Sequence, residues 1–191
     1  MILRYEKLDK NNIVQATKIQ YEIFPNSCAY SKYLEEINTN NELPINFLVF
    51  EDSKPIGVVG LYDIHKYNDT IWLSWFGVLK QYRFKGYGTQ IFNDIIRIAK
   101  KYNKKFLRLY TYEKWNYEAQ NFYKKHMQIG EYYTNINENQ YDIKVGKCKI
   151  FGYSLCREKI KFWNNKFINI SEEEHTHKKS ILMMKKDGII V

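Results

Sequence analysis

Between Val78 and Thr89 the chain reads Val-Leu-Lys-Gln-Tyr-Arg-Phe-Lys-Gly-Tyr-Gly-Thr. An apolar run ends there, a basic loop with two glycines follows, and an amphipathic stretch begins. The first N–H groups of a helix have no intrahelical partner and sit at the positive end of its dipole. Gly86 and Gly88 carry no side chain, so a phosphate can come close to the main chain. Arg83 and Lys85 add positive charge at the rim, and the Thr89 hydroxyl can donate to a phosphate oxygen. Several contributions of about 0.3–1 kcal/mol each suit a diphosphate. The spacing lacks the Gly-Lys-Ser/Thr ending of a P-loop and the Gly-x-Gly-x-x-Gly of a dinucleotide fold.

A second group of residues lies downstream, Asn116-Tyr-Glu-Ala119-Gln-Asn-Phe122-Tyr123-Lys-Lys125. Arg83-x-x-Gly86-x-Gly88 resembles the Arg/Gln-x-x-Gly-x-Gly/Ala signature of the GCN5-related N-acetyltransferase (GNAT) superfamily. The Asn116–Lys125 stretch is similar to that family's second signature, and Trp75–Val78 stands where the family has the strand leading into the first. The resemblance covers about residues 1–155, leaving 156–191 as a C-terminal extension expected to dock on the domain.

The resemblance implies an α/β (α+β) GNAT fold: a mixed, mostly antiparallel central sheet of about seven strands flanked by helices. It also implies acetyl-CoA as cosubstrate, an amine acceptor, and no metal. Acetyl-CoA would lie where the fourth and fifth strands part, its pantetheine arm pairing with backbone of Phe76, Gly77 and Val78. Its diphosphate would rest on the amides of Arg83, Phe84, Lys85, Gly86, Tyr87, Gly88 and Thr89, and Asn116 would hydrogen-bond the pantetheine. Val78 N–H would face the tetrahedral oxyanion. Tyr123 would be the general acid that protonates the departing thiolate. A phenol (about 10) can donate to a thiolate (about 8.5) when placed within hydrogen-bond reach. Read without the resemblance, Tyr123 is equally a core aromatic beside Phe122, and Asn116 a helix cap.

Many family members carry a glutamate on the fourth strand as general base. Here that strand reads Thr70-Ile-Trp-Leu-Ser-Trp-Phe-Gly-Val, without a carboxylate. Simple alternation puts Trp72, Ser74, Phe76 and Val78 on one face and Ile71, Leu73 and Trp75 on the other. Glu22, Glu51, Asp63 or a chain of waters are the open choices for a base, and the acceptor could also arrive neutral.

The elements that must hold these residues follow from periodicity. Ile2–Leu8 alternates as a strand. Asn11 or Asn12 can cap a helix bearing Ile13, Ala16, Ile19, Ile23 and Phe24, which Pro25-Asn26 ends. Tyr30–Ile37 reads as a second helix. Phe47–Phe50, Ile56–Tyr62 and Thr70–Leu79 form an antiparallel meander. Thr89–Tyr102 is an amphipathic helix with Ile91, Ile95 and Ile98 on one stripe. Phe106–Tyr112 is a strand, Asn116–Met127 a helix, and Gly130–Thr134 with Cys148–Leu155 a final strand pair. The order is β-α-α-β-β-β-α-β-α-β-β. Beyond Leu155, Trp163, Phe167, Ile168 and Ile170 suggest an apolar segment, and Glu174–His177 reads as a solvated tail, since its spacing fits no metal site.

The 191 residues, 45% hydrophobic and 17% aromatic, exclude a disordered chain and suffice for one domain without disulfides. No apolar run approaches a membrane span, and the opening residues lack the apolar core of a secretion signal. Three cysteines, an odd number, point to reduced thiols and a cytoplasmic location. The net charge of +9 is uneven: residues 1–74 sum to −3, and residues 80–126 alone to +9. The basic middle raises the rival of a nucleic-acid-binding module, though only five of the thirty cations are arginine. A third reading is a non-catalytic acyl-CoA-binding regulator. The acidic first part favours a cationic acceptor, such as a polyamine, an aminoglycoside or a lysine side chain. A homodimer is compatible with the sequence but not required by it.

Overall fold

The computed structural model describes residues 2–39, 41–112, 117–134, 146–164, 167–168 and 176–189. The chain forms two compact units, one of Met1–Asp63, Leu73–Ile98 and His175–Val191, the other of Ile64–Trp72 and Ala99–Glu174.

In the first unit, β1 (Leu3–Lys7) pairs antiparallel with β2 (Ile45–Glu51), and β2 with β3 (Lys54–Tyr62). The hairpin between β2 and β3 turns at Asp52, which adopts a left-handed φ of 52°. Next to β3 lies β4 (Thr70–Val78). Helices α1 (Ile13–Ile23) and α2 (Tyr30–Ile37) cover Leu48, Phe50 and Val58, burying Ile13, Ala16 and Tyr33. The start of α1 is organised by Asp9, whose Oδ1 accepts the N–H groups of Asn11 (2.8 Å) and Asn12 (3.1 Å). Asn12 stands at the cap position but sends its side chain to Lys7 O instead. The expected asparagine cap is thus replaced by an Asx turn at Asp9, three residues before Asn12.

On the opposite face runs α3 (Tyr87–Ala99), with Ile91 and Ile95 buried. It begins two residues before the expected start, so Tyr87 and Gly88 belong to its first turn.

A last helix, α5 (Thr176–Lys186), replaces the solvated tail expected around His177. It packs on α2: Ser180 is buried and donates to Ser31 Oγ (2.9 Å), and Met184 meets Cys28 at 3.2 Å between sulfurs. His177 Nδ1 accepts the N–H of Cys28 (3.0 Å), and its ring stacks on Tyr21.

The second unit is a mostly antiparallel sheet backed by a helix. The first three residues of β4 pair parallel with β5 (Phe106–Tyr112), Thr70 opposite Phe106 and Trp72 opposite Arg108. Next come β7 (Gly146–Ser154) and β6 (Gln128–Thr134), each pair antiparallel. A two-residue strand, β8 (Phe167–Ile168), adds parallel to β6, one strand beyond the seven expected. Helix α4 (Tyr117–His126) contributes buried Gln120 and Tyr123. The segment after β7 crosses two glycines: a Cβ on Gly152 would meet Ile160 at 2.1 Å, and one on Gly130 would meet Phe162 at 2.5 Å. These glycines let Ile160 and Phe162 lie flat on the sheet.

The strand alternation expected along β4 fails at Trp75. Its φ is 46°, a left-handed value inside a strand, costly for a bulky residue. Trp75 packs edge-on against Phe24 at 5.9 Å, and a Cβ on Gly77 would point at Ile23 and Phe24. Ser74 lies beside Asn46, which is bonded to Glu36 of α2. Phe76 instead meets Phe92 of α3 at 6.4 Å between ring centres. Ser74 and Trp75 therefore share the α1/α2 side, and the period slips by one residue as at a β-bulge.

Candidate active site

The C-terminal end of β4 shows how the Val78–Thr89 stretch is shaped. Gly77 carbonyl faces β3, so close that a Cβ on Gly57 would sit 2.4 Å from it. Leu79 N–H also turns to β3, donating to Ile56 O (2.9 Å). In an extended strand the residue between them faces the other way. Val78 thus turns its N–H and C=O away from β3, and its carbonyl accepts Arg83 Nε at 3.0 Å. Gly77 itself is fixed by the approach of α1, where a Cβ would lie 2.4 Å from Ile23.

Lys80–Tyr82 forms a single 3-10 turn, in which Arg83 N–H is taken by Lys80 O at 3.2 Å. Of the amides from Arg83 to Thr89, that of Arg83 is therefore already engaged. Phe84 and Gly86 both take left-handed φ, 61° and 86°. Phe84 is 92% exposed, and nothing lies within 4 Å of where a Gly86 Cβ would be. Glycine at 86 is thus required by conformation and leaves open space above the loop. Gln90 N–H bonds Gly86 O (3.1 Å), so the amides of Tyr87, Gly88 and Thr89 form the first turn of α3. Lys85 reaches over the Tyr82 ring at 5.7 Å. Tyr87 is buried and donates its hydroxyl to Glu51, and that bond pushes the phenol up to about 12.

Tyr123 lies in the second unit on α4, almost fully buried, with Phe151 of β7 at 5.3 Å and Phe122 at 5.7 Å between ring centres. Burial raises its pKa well above the ordinary phenol range. Burial thus favours the protonated phenol, the form that can donate. Asn116 lies outside the described residues.

The three carboxylates considered as bases differ. Glu22 is exposed, Asp63 is half-buried just beyond β3, and Glu51 holds the Tyr87 hydroxyl. A carboxylate the sequence reading passed over is Glu36. It is buried on α2 and accepts both Asn46 N–H (2.8 Å) and the Asn46 side-chain amide. Burial raises its pKa while these bonds oppose the rise. Its place three residues after Tyr33, on the buried stripe of an amphipathic helix, was the available signal. Among the described residues no group of three or more His, Cys, Asp or Glu side chains could hold a metal ion.

Residues 12–127 match the family model described as the acetyltransferase (GNAT) family, and the chain belongs to that family. No curated protein sequence matches it. Solved structures do. One is the ribosomal-protein-S18-alanine N-acetyltransferase from Escherichia coli, 16% identical over 85% of this chain and 99% of that one, with a TM-score of 0.60. Another is Arabidopsis thaliana NAA60 in complex with a bisubstrate analogue, 13% identical over 80% and 99%, TM-score 0.62. A spermidine N-acetyltransferase SpeG chimera from Vibrio cholerae and hSSAT is 15% identical over 80% and 95%, TM-score 0.60. At these identities the likeness concerns the fold: a mixed, mostly antiparallel sheet with flanking helices, as expected from the sequence.

Proposed function

We propose that this chain is an acetyl-CoA-dependent N-acetyltransferase that acetylates a primary amine by direct attack. The observation that carries the reading is the loop between β4 and α3. It joins an outward-turned Val78, a left-handed Gly86 with open space above it, and the free first turn of a helix. That combination suits a diphosphate followed by an extended thioester arm. Phe84, Lys85, Gly86, Tyr87, Gly88 and Thr89 receive the diphosphate, with Arg83 closing the loop onto Val78. The arm pairs with the edge of β4 at Phe76–Val78, Val78 N–H faces the developing oxyanion, and Asn116 holds the pantetheine. No protein acyl-enzyme is formed.

The amine nitrogen attacks the thioester carbonyl, the tetrahedral intermediate collapses, and the C–S bond breaks. Tyr123 donates its phenolic proton to the leaving sulfur, and the amine loses one proton to solvent or a carboxylate. Burial keeps Tyr123 in the donor form required. The net negative charge of residues 1–74 favours an acceptor bearing its own positive charge. Free thiols at Cys28, Cys148 and Cys156 accord with work in the cytoplasm.

Isothermal titration with acetyl-CoA tests the reading. Binding at micromolar to submillimolar concentration is expected, and none at one millimolar overturns it. Coenzyme A release with a panel of primary amines then identifies the acceptor.

A further inference from the structure

In the first unit, β1 is the last strand on its side of the sheet. One of its edges pairs with β2, and no described strand lies along the other. An open edge is a template for a further strand. The register tells which backbone groups face outward. Leu8 N–H donates to Asn46 O at 3.0 Å, so position 8 is a hydrogen-bonded pair with the chain entering β2. Such pairs alternate along an antiparallel ladder, so Arg4 and Glu6 also turn their backbone groups to β2. Leu3, Tyr5 and Lys7 turn theirs away. Lys7 C=O agrees with this, since it accepts Asn12 Nδ2 at 3.0 Å rather than a β2 amide. That side chain also ends the free edge at Lys7 N–H.

The side chains beside this edge carry opposite charges two residues apart. Arg4 and Glu6 share one face of β1, are ion-paired with each other, and keep 50% and 38% of their side chains exposed. Arg4 lies over the Phe50 ring at 4.2 Å, which holds its guanidinium on that face. Ile2, one step before the strand, is 90% exposed. Now set two copies of β1 antiparallel about a two-fold axis, with outward backbone groups meeting outward ones. Centred on Arg4, the pairing sets arginine against arginine. Centred on Glu6, it sets glutamate against glutamate. Centred on Tyr5, it sets Arg4 against Glu6 of the partner subunit on both sides of the axis. These are non-hydrogen-bonded pairs, where side chains stand closest, so unlike charges favour this register and like charges disfavour the other two.

We propose that β1 pairs with β1 of a second copy of this chain, antiparallel about Tyr5, in a two-fold dimer that continues the sheet of the first unit. The two Tyr5 residues exchange both of their backbone bonds, and each Lys7 N–H donates to Leu3 O of the partner subunit. Ile2 comes beside Leu8 of the partner subunit and leaves water. The shared edge is a single five-residue strand. Its area falls below the roughly 1,200 Å² of a standard interface, so the dimer is weak, with a dissociation constant of about 10–100 μM.

Sedimentation equilibrium of the full chain from about 5 to 500 μM spans that range. The average mass should rise from 23.1 kDa toward that of a dimer. Arg4→Glu and Glu6→Arg each set like charges against one another, and each should raise the dissociation constant at least tenfold. An equimolar mixture of these two variants places acid opposite base at every contact and should dimerise at least as tightly as the wild type. The double variant Arg4→Glu/Glu6→Arg should dimerise like the wild type. Urea unfolding checks each variant. Should one not fold, amide hydrogen exchange in the wild type decides: Tyr5 and Lys7 amides should exchange severalfold more slowly at the highest concentration than at the lowest. A monomer throughout the range, a dimer equally tight in Arg4→Glu, no gain on mixing the single variants, or edge amides indifferent to concentration overturns the inference.

Discussion

At the scale of single residues, Tyr123 and Tyr87 use the same group in opposite ways. Tyr123 is surrounded by rings, and burial raises its pKa. As general acid its removal in Tyr123→Phe should lower kcat about 10²-fold or more and leave the KM for acetyl-CoA unchanged. Steady-state kinetics decide this, and unaltered kcat would return the residue to the core. Tyr87 instead donates to Glu51, and its folded pKa of about 12 lies above the unfolded value of about 10. A raised pKa stabilises the fold fully below the unfolded value and ceases to do so as pH passes the folded one. Urea unfolding of wild type and Tyr87→Phe should therefore differ most below pH 10, and the two should converge between pH 10 and 12. Gly77→Ala tests steric closeness: its methyl would meet Ile23 at 2.4 Å, so α1 must shift and the unfolding midpoint should fall.

Among elements, the parts read correctly from sequence were those whose pattern is local. Tyr30–Ile37 and Phe106–Tyr112 have in the structure the boundaries their sequence predicts, because each carries its own period and a clear stop. Two features depended on distant partners. Trp75 departs from strand geometry because Phe24, 51 residues earlier in the chain, receives its ring. Helix α5 shows a run, Ile181 to Met184, that favours no period, and its burial comes from Ser31 and Cys28 of the α2 region. The candidate loop was legible as residues. Which of its amides remain free was not, since Arg83 N–H is taken by a 3-10 turn that no spacing rule reveals. The packing of α5 yields a chemical prediction. Cys156 is exposed, whereas Cys28 and Cys148 are buried, so a thiol reagent should modify one cysteine rapidly in the native protein. Truncation after residue 174 uncovers Cys28, and a second thiol should then react at a comparable rate. Met184→Ala, at a side chain 1% exposed, should cost about 2–4 kcal/mol by denaturant unfolding.

For the molecule as a whole, the chain passes between its two units four times, and neither unit is a continuous stretch. No single cut releases either one intact. Charge is the other whole-molecule property. If the +9 of residues 80–126 served a polynucleotide, affinity would fall steeply with salt and coenzyme A would not compete. The acetyltransferase reading expects the reverse, namely coenzyme A affinity with a modest salt slope and DNA retention lost by 0.2 M salt. No described helix is long and apolar enough to cross a membrane.

The bare ring of Phe84 offers a handle on the living state of the loop. A phenylalanine standing in water on a left-handed turn is what chymotrypsin needs for access and for a bendable backbone. Limited digestion should nick the protein first after Phe84, splitting it into pieces of 84 and 107 residues, and saturating acetyl-CoA should slow that cut severalfold. Occupancy inside a crude extract would then be legible from a gel band, before any acceptor is known.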